Sequence, residues 1–306
     1  MNAAISPFGA ELLRIAHEAG RLILKYYATI PEVRAKADAS PVTKADEEAE
    51  ALIVERLAQL APGVSVIAEE AMARGHRPTK AHRFFLVDPL DGTKEFLKKN
   101  GEFTVNIALI EDSRPCCGVV LAPAKARAFV GERSAGAFEV AAAEDLPLEL
   151  STAQRICARK VPKSGIVAIV SRTHRDTKTE LYLKSYGVAN LLAAGSSLKF
   201  CLVAAGEADL YPRHGRTMEW DTAAGQAVLE AAGGSVTTLD GDPLTYGKED
   251  KGFKFSNVQE HSTMRIPDVR RLYMSQRSSS IAPEPKNTDK WRSRQSSSQP
   301  APHDHD

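Results

Sequence analysis

An excess of charge of either sign is missing: 40 Lys and Arg stand against 39 Asp and Glu in 306 residues, a formal net charge of +1. With no global field, neither nucleic-acid nor membrane-surface binding is favoured, and any anion site must be local. Cysteine is scarce. Cys116, Cys117, Cys157 and Cys201 show no C-x-x-C spacing and have no His pair nearby, which argues against zinc. They read as small buried hydrophobes; the adjacent Cys116-Cys117 is either a redox pair or, more commonly, two ordinary strand residues. No apolar run approaches the ~18 residues that span a bilayer, and residues 1–10 lack a basic segment followed by an apolar stretch, so a reducing cytoplasm is expected. No internal repeat is visible. What the chain does have is 43% hydrophobic residues, ample for the core of one large or two medium domains.

Leu12, Leu13, Ile15, Ala16, Ala19, Leu22, Ile23 and Tyr26 recur at three- and four-residue spacing and predict an amphipathic helix. Thr43 and Asp46 form a Thr-x-x-Asp start signal for a second, whose stripe of Ala49, Leu52, Ile53, Leu57 and Leu60 ends at Pro62-Gly63. Strands are predicted over 64–68, 84–87 and 103–109, the last alternating as a half-buried strand does, and then over 118–121, 128–131 and 136–140. Residues 1–150 thus read as an α+β unit. Beyond a weakly patterned stretch at 142–165, a buried strand is predicted at 166–170, a helix at 197–206, a strand at 208–211 and a helix at 221–232 stopped by Gly233-Gly234. Residues 151–256 read as an α/β unit. Residues 257–306 are rich in Ser, Pro, Arg and Gln, with eight Lys/Arg and six Asp/Glu; they predict a disordered, low-complexity tail that is no polybasic anchor and names no partner.

Phe84-Phe85-Leu86-Val87 runs directly into Asp88-Pro89-Leu90-Asp91-Gly92-Thr93. One reading is a β-turn whose aspartates accept from the turn's own amides. The other is a cation site at a sheet rim, where the strand fixes one ligand and the turn brings the second alongside. The hexapeptide alone does not decide. Glu69-Glu70 follows the strand at 64–68, and Asp221 stands between Trp220 and a helix start, so acids recur where apolar elements end. Asp221 also reads as a helix N-cap, and Asp46 as the third residue of a capping box on Thr43. Jointly, hard oxygen donors at four element ends, without a Cys/His cluster, point to Mg²⁺ or a similar cation. Converging carboxylates repel and partly protonate unless cations compensate them, which implies two or more ions. Two ions ~3.5–4 Å apart can activate water and stabilise a leaving alkoxide, so phosphate-ester hydrolysis fits best.

In order and spacing, Asp88-Pro89-Leu90-Asp91-Gly92-Thr93, Trp220-Asp221-Thr222-Ala223-Ala224-Gly225 and Glu69-Glu70 resemble the three signature elements of the inositol monophosphatase superfamily of lithium-sensitive, Mg²⁺-dependent phosphatases. Within it, Thr93-Lys94-Glu95-Phe96, the stretch 100–110 and Gly195-Ser196-Ser197-Leu198-Lys199-Phe200-Cys201 resemble the bacterial CysQ type, the 3'(2'),5'-bisphosphate nucleotidases. The resemblance covers about residues 10–256. Two departures stand out: Ala68 precedes the glutamates where relatives usually have Ser or Gly, and residues 213–219 are more charged than expected.

The resemblance implies a layered αβαβα, sugar-phosphatase-like sandwich. It implies that Glu69, Asp88, the Leu90 carbonyl, Asp91 and Asp221 hold Mg²⁺, with Asp46 at a third, weaker site, for two or three ions in all. Thr93, with Glu69, would orient and deprotonate the attacking water, while Asp91 and the amides of Gly92 and Thr93 face the phosphate. The implied catalytic set is therefore Asp46, Glu69, Asp91 and Thr93, and Leu90 and Asp221 also border the substrate. The implied substrate is 3'-phosphoadenosine 5'-phosphate, cleaved to AMP and phosphate in clearing a by-product of sulfate assimilation. Its second anion needs partners, and the matching positions are His174, Ser196, Lys199 and Arg213. Without the resemblance, Lys199 and Arg213 read as surface charges and His174 as a satisfied loop histidine. Peripheral contact with the inner membrane occurs among such relatives, but no amphipathic anchor here supports it independently. An inositol or sugar monophosphatase could use the same metal centre, and a nucleotide-binding sensor is the non-enzymatic alternative. Retention of every expected ligand and of Thr93 argues against the sensor.

Overall fold

Ser6 caps the first helix, α1 (Pro7–Tyr27), by accepting the Gly9 amide, and Pro7 supplies the fixed φ that suits a first turn. The protein is described here by a computed structural model covering residues 4–29, 33–36, 41–78, 81–172, 177–238, 241–255 and 263–265. A short antiparallel pair, β1 (Val33–Ala35) and β2 (Pro41–Thr43), leads into α2 (Lys44–Leu60). The capping box is present as expected: the Thr43 amide donates to Asp46 Oδ2 at 2.8 Å, and the Ala45 amide donates to Thr43 Oγ1 at 3.2 Å.

A seven-stranded sheet follows, ordered β3-β4-β5-β6-β7-β8-β9. Its strands are β3 (Ser65–Ala68), β4 (Arg83–Asp91), β5 (Thr104–Glu111), β6 (Arg114–Ala122), β7 (Arg127–Glu132), β8 (Gly136–Ala141) and β9 (Gln154–Ile156). β3 and β4 are parallel and every other pairing is antiparallel. Two one-turn helices interrupt it, α3 (Glu69–Ala73) directly after β3 and α4 (Thr93–Leu97) directly after β4. The chain then enters a five-stranded sheet ordered β11-β10-β12-β14-β13. This sheet comprises β10 (Ile166–Ser171), β11 (Val188–Ala194), β12 (Leu210–Pro212), β13 (Ser235–Thr237) and β14 (Thr263–Arg265), with helices α5 (Thr177–Lys184), α6 (Leu198–Ala204) and α7 (Ala223–Ala231).

The period of two along each strand sorts the side chains into layers. On β4, Phe85 and Val87 join α1 and α2 in one cluster, whereas Phe84 and Leu86 join α6 and α7 in another. On β10, Ile169 faces that second cluster, while Ile166, Ala168 and Val170 pack with Leu183 and Tyr186 beyond the other face. The succession is α1/α2, seven-stranded sheet, α6/α7, five-stranded sheet, α5, which is the αβαβα sandwich expected. Burying Phe84 and Phe85 on opposite faces of one strand stabilises the stack by about 1.5–3 kcal/mol per side chain.

Several expectations need correction. β5 is buried along both faces rather than half-buried, because helices cover the sheet on each side. The seven-stranded sheet runs on through β9, so the change of sheet falls between Ile156 and Ile166 rather than at 150. Of residues 257–306, the described part is β14, which pairs antiparallel with both β12 and β13; the rest lies outside the described residues. All four cysteines are free. Burial pushes the Cys116 thiol up to about 11 and raises Cys117 and Cys201 above their ordinary value, so the adjacent pair consists of protonated strand residues. Cys157, expected to be buried, is exposed.

Candidate metal centre

Parity along β4 decides where Asp88 points. It follows Phe84 and Leu86 onto the inner face, beneath α6 and α7, and only 2% of its surface is exposed. β3 ends beside it, since Ala68 is registered with Val87, and the next residue, Glu69, opens α3. Asp221 arrives from the other sheet's side of the molecule, two residues before α7. Carboxylate oxygens of Glu69, Asp88 and Asp221 lie within 4.8 Å of one another. The N-cap reading of Asp221 is not what is seen: Thr222 stands at the cap position, and Asp221 Oδ2 accepts from Thr217 Oγ1 at 2.9 Å and the Met218 amide at 3.0 Å.

Asp91 joins this group from the far side of the Asp88-Pro89-Leu90 bulge, where the β4–β5 register shifts. Its Oδ2 accepts from the Ser197 amide at 2.7 Å and Ser197 Oγ at 2.8 Å, and its charge bears on both Asp88 and Asp221. Gly92 makes the turn possible. Its φ of 91° is left-handed, and a Cβ there would lie 3.3 Å from Ser196 Cβ and 3.4 Å from the Glu102 carbonyl. Thr93 then starts α4 with its Oγ1 3.2 Å from Asp46 Oδ1 and 3.5 Å from the Leu90 carbonyl. Asp46 lies outside the three-carboxylate group, with Oδ2 taken by the Thr43 amide and hydroxyl and Oδ1 turned to Thr93. The capping-box reading of Asp46 is seen on Oδ2, and Oδ1 is left facing the Thr93 hydroxyl.

Buried among one another, Glu69, Glu70, Asp88 and Asp221 resist ionisation. Burial, reinforced by the charges of Asp221 and Glu70 and opposed by Lys36, pushes Glu69 up to about 8. Burial likewise pushes Glu70 up to about 7, and burial together with Glu69, Asp91 and Asp221 raises Asp88 well above the ordinary carboxylate range. Among the described residues two cations reach them: the Lys36 ammonium, 2.6 Å from both Glu69 Oε1 and Glu70 Oε1, and the Arg213 guanidinium, 3.9 Å from Asp221 Oδ2. An ammonium drawn from the residue after β1 into an all-oxygen, anionic pocket marks the place as one that fits hard cations. We therefore expect Mg²⁺ to raise the unfolding temperature more at about pH 8 than at about pH 5.5. The sign follows from the raised values: without cations, the folded chain holds protons that the unfolded chain has lost between about pH 4.5 and about pH 8, so its stability falls as pH rises through that window. Ligand protonation also weakens cation binding in acid. Thermal melts with and without Mg²⁺ at the two pH values check this, and an equal or larger upshift in acid contradicts it.

A cleft of about 170 Å³ adjoins the carboxylates, and Glu69, Asp91, Gly92, Thr93, Ser196, Lys199 and Arg213 are among the residues that line it. Lys199 is 2% exposed; its ammonium donates to the Ser196 carbonyl at 2.5 Å and lies 5.2 Å from the centre of the Tyr211 ring, with no carboxylate partner among the described residues. Ser196 is held at a φ of 46°, and its buried hydroxyl has no hydrogen-bond partner among the described residues. A buried unpaired cation beside an orphaned hydroxyl is costly unless an anion completes it. Ser196, Lys199 and Arg213 are thus brought to one cleft; His174 lies outside the described residues. The sequence reading passed over Lys36, Asn106 and the hydroxyl of Ser197. Only Asn106 left a signal, as an amide interrupting the apolar run Val105 to Ile107.

The inositol monophosphatase family model matches residues 6–273. The 3'(2'),5'-bisphosphate nucleotidase CysQ of Escherichia coli K12 is 43% identical over 238 residues, covering 77% of this chain and 92% of that protein. The protein of the same name from Salmonella typhimurium LT2 is 41% identical over 239 residues, with 77% and 92% covered. The crystal structure of CysQ from Bacteroides thetaiotaomicron, a bacterial member of the inositol monophosphatase family, superposes with a TM-score of 0.70 at 35% identity over 84% of this chain and 96% of that one. The Thermotoga maritima inositol monophosphatase, at 22% identity and a TM-score of 0.67 over 86% of this chain and 93% of that one, shares the fold. With the three-carboxylate group, the sandwich and a match over most of its length, this chain belongs to the inositol monophosphatase family.

Proposed function

We propose that the protein is a 3'(2'),5'-bisphosphate nucleotidase that hydrolyses 3'-phosphoadenosine 5'-phosphate to AMP and phosphate. The observation that carries this reading is the buried ammonium of Lys199, which has no carboxylate partner among the described residues and lines the same cleft as Glu69 and Asp91, beside the Ser196 hydroxyl. A monophosphate needs one anion site; Lys199 and Arg213 give this cleft cationic groups for a second. Identity above 40% to proteins named as bisphosphate nucleotidases supports the same choice.

Glu69, Asp88, the Leu90 carbonyl, Asp91 and Asp221 would hold Mg²⁺, which supplies a Lewis acid for the phosphoryl oxygens and lowers the pKa of water. The chain's own residues do the rest. Thr93 Oγ1, directed to Asp46 Oδ1, accepts a hydrogen from the attacking water and passes its own to that oxygen. Asp46 Oδ1 is the basic oxygen because two donors from Thr43 already occupy Oδ2. The amides of Gly92 and Thr93 bind the scissile phosphate, and Ser196, Lys199 and Arg213 bind the second one. As the water oxygen bonds to phosphorus, the ester bond breaks in line and the ribose oxygen takes up a proton from solvent water, while the proton passed to Asp46 is returned to solvent.

A substrate panel on the purified chain tests the reading. 3'-Phosphoadenosine 5'-phosphate should give the highest kcat/KM; a higher value for inositol 1-phosphate would replace it with an inositol monophosphatase, and saturable nucleotide binding without phosphate release in Mg²⁺ would replace it with a sensor. Lys199→Ala should raise KM for the bisphosphate about 10–100-fold with kcat little changed, the cost of one hydrogen bond to a charged group. An unchanged KM would remove Lys199 from the substrate wall.

A further inference from the structure

Asp91 is held by residues distant in sequence. Its Oδ2 accepts the Ser197 amide at 2.7 Å, the Ser197 hydroxyl at 2.8 Å and Asn106 Nδ2 at 3.4 Å. Asn106 Nδ2 also donates to Ser197 Oγ at 2.9 Å, and the single Ser197 hydroxyl proton is shared between Asp91 Oδ2 and the Asp221 carbonyl, 2.7 Å away. Both residues are buried, each 1% exposed. Asn106 stands on β5 in register with Asp88, which puts its amide on the same inner face as the acids. The opposite amide orientation would set its oxygen against the Asp91 carboxylate, so the neighbours fix the amide as a donor.

The loop that carries Ser197 is pinned in turn. The Gly195 amide donates to Glu102 Oε2 at 2.9 Å, and Arg172 clamps Glu102 with two bonds of 2.7 Å and 2.9 Å. Glycine is required at 195, because a Cβ there would fall 2.6 Å from the Glu102 carbonyl oxygen. The left-handed turn at Ser196 then swings the Ser197 amide onto Asp91.

We propose that Ser197, assisted by Asn106, is a positioning residue of the metal centre: it holds Asp91 by one oxygen, leaves the other for cations, and so sets the affinity of the site for them. A carboxylate with both oxygens free samples several rotamers; three donors on Oδ2 select one before any cation arrives. The inference rests on the cation-site reading above and extends it to residues that touch no cation.

The test is Mn²⁺ binding to the full chain, followed by the loss of the free-ion electron paramagnetic resonance signal with no nucleotide present. Ser197→Ala should weaken binding by about 10–100-fold, the scale set by partners of metal ligands. Ser196→Ala, which alters the same loop but no bond to Asp91, should bind Mn²⁺ as the parent does. Asn106→Ala should also weaken it, and this variant leaves the loop intact if Ser197→Ala fails to fold. Mn²⁺ affinity within twofold of the parent in whichever of Ser197→Ala and Asn106→Ala folds, even with a lowered unfolding temperature, would make their role merely structural and overturn the proposal. So would equal losses in Ser196→Ala and Ser197→Ala. A parent that binds no Mn²⁺ would overturn the cation reading too, whereas failure of the nucleotidase reading leaves this result untouched.

Discussion

Asp91→Asn is expected to lower kcat by on the order of 10³-fold or more, the scale of removing a preorganised electrostatic group. Loss of charge is only part of the reason. Three donors converge on Asp91 Oδ2, two from Ser197 and one from Asn106. An asparagine in that position must offer them its carbonyl oxygen, which turns its NH₂ to the place of Oδ1. The amide hydrogens then face the position where cations are needed, so the substitution installs a repulsion as well as deleting an attraction. Because the donors remain satisfied, the fold should survive. The check is phosphate release at saturating Mg²⁺ and nucleotide alongside a thermal melt. A folded variant with kcat within tenfold of the parent would show that Asp91 is not a ligand.

The same donors show why parts of the centre were legible in sequence and parts were not. Asp88, Glu69 and Asp221 each sit at the end of an apolar element, and a residue placed by its neighbours in sequence can be read from them. The Thr43–Asp46 box is equally local, and helix α2 begins where that signal says. Asn106 and Ser197 are different. They are 91 residues apart and meet only because β5 pairs with β4 while α6 packs across the inner face. No local pattern encodes that meeting. Lys36 is likewise brought to Glu69 and Glu70 by a three-residue strand too short to show a period. Strand β11 escaped notice for another reason: it is the edge of its sheet, with most of its side chains exposed, so Val188 to Ala194 carries neither an alternation nor the continuous burial of β10. The Asp221 N-cap reading failed because the helix starts two residues later than its apolar content suggests.

The last expectation concerns the proton path. Thr93→Ala should lower kcat by about 10²–10⁴-fold, the usual worth of a positioned proton-transfer group, with KM nearly unchanged. Asp46→Asn should do the same by a different route. Its two oxygens have separate partners: Oδ2 takes the Thr43 amide and hydroxyl, and Oδ1 takes the Thr93 hydroxyl. Asparagine can keep its carbonyl oxygen on Thr43, preserving the start of α2, only by turning its NH₂ to Thr93, whose hydroxyl can accept a hydrogen from it but cannot pass its own proton to it. The Thr93 proton then has nowhere to go. If the two residues form one relay, the double variant should be no slower than the worse single variant, since the second substitution removes a step already blocked. Thr93→Ser, which keeps the hydroxyl, should recover most of the rate. Losses that multiply in the double variant, or a Thr93→Ser enzyme as slow as Thr93→Ala, would mean that Asp46 and Thr93 act separately and that the water gives its proton to another group, such as Glu69, a carboxylate outside the relay that also lines the cleft.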